Sequence, residues 1–216
     1  MTELTKAIEV PFVKNTGKRC VPACTAMLLK TLLPERMYSA RYIESLSGFR
    51  EGYSTWAAQH LLSLDALGIE VGWIQDEDLA SFAQQPDEYM LRQFGNQASL
   101  DKFKSSNDLG LEAARINTYL NRGLPFEKRE ATREDITSRL MGSWAVRLEV
   151  NGETLADQDG YAPHAVLVSG FNDEVIRLEN PDGKYGSKPK QIVSWDKLHE
   201  AWPDPTMQYY RRKQQA

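Results

Sequence analysis

Between Pro22 and Leu33 only Thr25, Lys30 and Thr31 are polar. A helix so apolar on every side belongs in a core, not on a surface. Pro22 suits a first helical turn, where its missing N–H is not needed, and Pro34 stops the helix at the other end. Ser39 to Leu46 predicts a second helix closed by Gly48. Tyr53-Ser54 opens a third, in which Trp56, His60, Leu64 and Leu67 share a face and Gly68 ends the run. Ile69 to Ile74 alternates as a half-buried strand, and Ile8 to Val13 alternates weakly, as a short strand or extended arm. From Asp76 to about Ala131 the chain turns polar and helical, broken by Pro86, Gly95, Gly110 and Gly123, with Leu111 to Leu120 its clearest amphipathic segment. That stretch predicts a helical insertion or subdomain. Thr132 starts another helix through Leu140, stopped by Gly142. The last third predicts sheet: Trp144 to Val150, His164 to Gly170, Glu174 to Glu179, Ile192 to Ser194 and Met207 to Arg211, with a helix from Trp195 to Trp202 capped by Ser194. Asn151-Gly152 and Phe171-Asn172-Asp173 supply turns, and Arg211-Arg212-Lys213 a solvated basic end.

Composition narrows the setting. A chain of 216 residues buries one good core, so the expectation is a single domain over 1–216 carrying an insertion at about 76–131. An apolar fraction of 41 % and five tryptophans predict a folded globule. A net charge of -4 gives no nucleic-acid or membrane surface, and no apolar run nears the ~20 residues of a membrane span. The N-terminal residues lack a signal peptide, so a cytoplasmic location is expected, with signal-independent export left open. Two cysteines four apart on a helix are poorly placed to pair and are expected to be free thiols.

Cys20 sits at the start of the predicted core helix, where unpaired N–H groups and the helix dipole favour a thiolate. Such a thiol needs a base and a group that holds the base. Of three histidines, His60 lies on an apolar helix face and reads as a satisfied core or surface residue, and His199 as ordinary surface. His164 starts a buried strand after Gly160-Tyr161-Ala162-Pro163, where its ring is exposed at the sheet end or merely caps the strand. Asn180 follows sixteen residues later in Glu179-Asn180-Pro181-Asp182-Gly183, a tight turn on its own account. Strand, turn and returning strand of that length bring Asn180 beside His164. Cys24, one turn deeper, reads as a small packing residue rather than the attacking thiol. Zinc on Cys20, Cys24 and histidines lacks a second close ligand pair, so no metal or other cofactor is expected.

Cys20-Val21-Pro22-Ala23-Cys24-Thr25-Ala26-Met27-Leu28 resembles the Cys-Gly-Pro-Ala-Cys helix of the papain-like peptidases that process bacteriocin leaders. His164 to Phe171 is similar to that family's histidine strand, and Leu178-Glu179-Asn180-Pro181 stands where it has Asp-Pro. Ile136 to Val150 and Ser194 to Trp202 are similar to the elements before the histidine and after the third residue. The likeness spans Pro11 to Ile74 and Thr132 to Tyr210 and leaves out the helical insertion. It implies Cys20 as nucleophile, His164 as base and Asn180 as orienter. Three positions depart from it. Val21 replaces glycine, Asn180 replaces aspartate, and Lys14 stands six before the cysteine, where the family has its oxyanion-hole glutamine. Counting from Cys24 reaches Lys18, so that register restores no glutamine. Lys14, Asn15 and the Cys20 N–H are the substitutes at hand, and losing one donor typically lowers turnover about a hundred- to a thousandfold.

The resemblance implies an α+β fold of papain-like type, N-terminal helices packed on a C-terminal antiparallel sheet. It further implies a cysteine peptidase-like thiol hydrolase acting on a peptide or isopeptide amide of a peptide or protein partner. An acyltransferase using the same site is the nearest variant. A catalytically inactive domain that binds a peptide or protein, and an interaction protein working through 76–131, are the rivals. Oligomeric state is not legible.

Overall fold

In the computed structural model, which describes residues 3–15, 17, 19–181 and 189–214, the chain enters through a two-residue strand, β1 (Lys6–Ala7), and an irregular arm. Helix α1 (Cys20–Leu32) follows, with Leu33 at its end and Pro34 beyond. Ser39 caps α2 (Ala40–Ser47), and Gly48 closes it in the left-handed region. Helix α3 (Ala57–Ala66) begins later than Tyr53-Ser54, because that segment is tied sideways: Ser54 N donates to Ser106 O, and Trp56 Nε1 to Asn107 Oδ1. Strand β2 (Ile69–Gln75) leads to four helices: α4 (Leu79–Gln84), α5 (Pro86–Phe94), α6 (Gln97–Lys104) and α7 (Leu109–Asn121). Asp78, Asn96 and Asp108 cap α4, α6 and α7, satisfying N–H groups that a helix start leaves open.

The remainder is β3 (Phe126–Lys128), α8 (Arg133–Met141), β4 (Ala145–Asn151), the single turn α9 (Gly152–Leu155), β5 (Pro163–Phe171), β6 (Val175–Glu179), β7 (Gln191–Ser194), α10 (Trp195–Ala201) and β8 (Met207–Arg212). Thr132 and Asp135 form a reciprocal capping box on α8. The expected turn at Asn151-Gly152 takes the form of α9, with the Asn151 side chain capping it. Asp182 and Gly183 of the expected turn after Asn180 lie outside the described residues.

The described strands form an eight-stranded sheet ordered β3-β2-β8-β4-β5-β6-β7, with β1 added on β5. All pairs are antiparallel except β2 with β3. The sheet is therefore mixed, and it recruits three strands, β1, β2 and β3, from the first two thirds of the chain. Cover on both faces explains why β2 is buried along most of its length, not half-buried as its alternation predicts: Val71 and Trp73 enter one apolar cluster and Ile74 the other. One face of the sheet (Val71, Trp73, Ala145, Ala165, Leu167, Tyr210) joins α1 and α3 in an apolar cluster that also takes in Leu79, Phe82, Leu109, Ile116 and Tyr119 of the 76–131 segment. The other (Val146, Leu148, Val166, Val168, Leu178, Met207, Tyr209) packs on Ile136, Leu140, Leu155, Leu198 and Trp202. The fold is α+β, as expected, and is a sheet between two helical layers.

The basic end is not simply solvated. Because β8 runs beside β2, Arg211 meets Glu70, Arg212 meets Glu35, and Lys213 reaches Asp65 while its N–H donates to Gly68 O. Surface pairs of this kind are each worth at most about 1 kcal/mol. A sharper constraint lies at Gly72, paired with Tyr209 on β8. A Cβ there would overlap the Tyr209 ring, which crosses the strand at that point. Gly72→Ala is expected to destabilise the fold by about 1–3 kcal/mol, read as a lower urea midpoint at unchanged slope. A neutral result would mean that the ring does not hold this position.

Candidate active site

The site rests on how α1 is anchored. Thr25 has one hydroxyl proton and donates it to Val21 O (2.8 Å). At its 3.0 Å contact with His60 Nδ1 it must therefore accept, which puts the ring proton on Nδ1. His60 Nε2 is then an acceptor, and Tyr210 OH donates to it at 3.0 Å. One buried imidazole so links α1, α3 and β8. Burial, with help from the Arg147 charge, holds the His60 pKa well below 6.5. His60 is a satisfied core residue, as its helix face predicts, and His199 is exposed.

Cys24 is fully buried, and its Sγ–H donates to Ala165 O at 3.4 Å. Burial pushes this thiol's pKa far up, so it stays protonated. Ala165 follows His164 in β5, so the contact fixes where the helix crosses the strand. Cys20 lies one turn, about 6 Å, nearer the positive end of α1 on the same side as Cys24. It is half-buried, and no acidic residue stands in the first turn. Beside it Arg19 pairs with Glu44 (2.8 Å) and lies over the Phe49 ring (4.8 Å).

His164 and Asn180 are both buried, and the antiparallel pairing of β5 with β6 brings them together: His164 Nε2 lies 2.8 Å from Asn180 Oδ1. The Asn180 amide nitrogen donates to Gln191 Oε1 at 2.9 Å. The loop before α1 is fastened to the same place. Asn15 N donates to Pro181 O at 2.7 Å, Asn15 Oδ1 accepts from Arg19 N, and Asn15 Nδ2 donates to Gly17 O. Asn15 is buried and Lys14 exposed. The pre-helix loop, the crossing of α1 over β5 and the end of β6 thus converge at one end of the paired strands β5 and β6. Among the described residues no group of three His, Cys, Asp or Glu side chains is placed to hold a metal ion.

No family model matches this chain, and no curated protein sequence does. Solved structures do. The peptidase domain of Streptococcus ComA, a bifunctional ABC transporter involved in quorum sensing, superposes with a TM-score of 0.51 at 14 % identity, over 95 % of this chain and 100 % of that domain. A double-glycine-motif protease from an AMS/PCAT transporter, solved in complex with the leader peptide, gives 0.52 at 11 % identity, over 97 % of this chain and 96 % of the other. The fold is that of the papain-like double-glycine peptidases. At such identities the likeness concerns the fold alone. No helix among the described residues is long and apolar enough to cross a membrane.

Two features of this peptidase-like fold escape the sequence reading. One is Gln191. The other is Arg147, fully buried on the α1 side of β4, whose Nε donates to Gln208 Oε1 (2.8 Å) and Nη2 to Glu149 Oε1 (2.9 Å). Its Nη1 is buried with no hydrogen-bond partner among the described residues. Period-two alternation through Ala145, Arg147 and Glu149 carries the signal: two charges share a strand face whose neighbours Ala165 and Leu167 are apolar.

His60 makes stability depend on pH with a definite sign. Unfolded, it titrates near 6.5; folded, it stays neutral to much lower pH. Below about 6.5 the unfolded chain binds a proton that the native state refuses. Its contribution is intact above that pH and declines by about 1.4 kcal/mol per unit below it. His60→Gln is expected to be less stable at pH 7 but to lose stability less steeply between pH 6.5 and 5, by one proton in the slope. Equal slopes for both proteins would mean that His60 is already charged in the native state.

Proposed function

We propose that the chain is a thiol hydrolase that cleaves a peptide or isopeptide amide through an acyl-enzyme. The single observation that carries this is the buried His164–Asn180 hydrogen bond, set beside the residue where the α1 helix meets β5. With Nε2–H donated to Asn180, Nδ1 of His164 is the base. It takes the Cys20 proton as sulfur attacks the carbonyl carbon, then delivers that proton to the departing amine as the C–N bond breaks. In the second half it takes a proton from water, whose oxygen displaces sulfur, and the thiol regains its proton. Transfer of the acyl group to an amine instead of water uses the same intermediate.

The oxyanion is met by the Cys20 N–H with Lys14 or Asn15. The Asn15 amide braces the loop, which favours Lys14 as the side-chain donor. A leader-type peptide fits as substrate, because a protein of this fold was solved holding one. Two free thiols suit a reducing compartment such as the cytoplasm. Exposure of Lys14 where the resembling family has glutamine also favours a second reading, a peptide-binding domain without turnover.

Alkylation by iodoacetamide at pH 6 separates the two. The hydrolase labels fast at Cys20, and His164→Ala slows labelling at least tenfold. Cys20→Ser abolishes it, since Cys24 is sealed. Labelling that rises only near pH 8.5 and ignores His164 would overturn the hydrolase and leave the binding domain.

A further inference from the structure

Asparagine in the third position creates a problem that aspartate does not have. A carboxylate offers the imidazole an oxygen whichever way it is turned. A carboxamide offers oxygen in one orientation and NH2 in the other. With NH2 facing Nε2, that nitrogen would have to accept, and the ring proton would move to Nδ1, the atom that the proposed mechanism needs as base. Something must hold the amide the right way round.

Gln191 stands where that can be done. It lies on β7, opposite Leu178 of β6, so the strand pairing that places Asn180 also places Gln191. Its Oε1 accepts from Asn180 Nδ2 at 2.9 Å, while Asn180 Oδ1 faces His164 Nε2 at 2.8 Å. With Gln191 so turned, a flipped Asn180 amide would set oxygen against oxygen, and could be met only if Gln191 turned its own amide as well. We infer that Gln191 is a positioning residue, which locks the Asn180 amide and thereby keeps His164 in its Nε2–H tautomer. This rests on the Cys20–His164–Asn180 reading and adds to it the device that lets asparagine serve.

Epistasis with Asn180→Asp tests the inference, because a carboxylate has no wrong orientation. Gln191→Ala is expected to slow Cys20 alkylation at pH 6 by about three- to tenfold, the worth of one hydrogen bond. In the Asn180→Asp background the same substitution is expected to change the rate less than twofold. Gln191→Glu keeps an acceptor for Nδ2 and loses less than Gln191→Ala. Nitrogen-15 spectra of His164 supply a readout independent of thiol chemistry. The Nε2–H form dominates the native protein, Gln191→Ala mixes the tautomers, and Asn180→Asp restores one form. An equal rate loss in both backgrounds, with an unchanged tautomer, would reduce Gln191 to ordinary edge-strand packing and overturn the inference. Were wild-type labelling to ignore His164, the hydrolase reading would fall, and the tautomer spectra would still decide the role of Gln191.

Discussion

A helix that is apolar on all sides has to be covered on all sides, and enclosing α1 organises this molecule. Helix α2 lies against it, α3 reaches it through the Thr25–His60 hydrogen bond, α7 packs behind α3, and β5 closes another side. Val21 to Leu29 are buried, and only the two ends, half-buried Cys20 at the start and exposed Lys30 in the last turn, reach out of this enclosure. The demand for burial therefore does two things at once. It presses the helix onto the strand that carries His164, and it leaves only the two ends of α1, Cys20 among them, within reach of solvent.

Polar groups tune this apolar packing instead of interrupting it. His60 uses both ring nitrogens inside the core and leaves neither unpaired. Arg147 is a costlier guest. Two of its nitrogens are bonded, one is not, and burying a guanidinium is tolerated only when partners such as Glu149 and Gln208 share the charge. Both lie on the side of the sheet that meets α1. Arg147, Gln208 and His60 thus put buried polar groups on the α1 side of the sheet, while an apolar cluster from Val146 to Trp202 fills the opposite face.

Much of this was legible in the sequence, for identifiable reasons. Signals that act locally survived folding: Pro22 and Pro34 bracket α1, Ser39 and Gly48 bracket α2, and Thr132 caps α8. The His164–Asn180 spacing was readable because a two-stranded turn has little freedom in length. Signals that depend on distant neighbours were not. Half-burial of β2 failed because elements remote in sequence cover both of its faces, and α3 began late because Trp56 answers to Asn107. Strand β3 is too short to show a pattern. Gln191 stayed hidden since nothing in Gln-Ile-Val-Ser announces a bond to the strand before it.

Strand β8 follows every other strand in the chain yet lies near the middle of the sheet, between β2 and β4. Until it is in place, the ribbon of β2 and β3 and the meander of β4 to β7 have no common edge. The closure that joins them is long-range strand pairing, the kind of contact that forms slowly. A polypeptide still short of Met207 can already dock α1 and β1 on β5, but its β2 and β3 lack the strand that joins them to the rest of the sheet. Completion of the sheet is thereby deferred until residues 207–212 have left the ribosome.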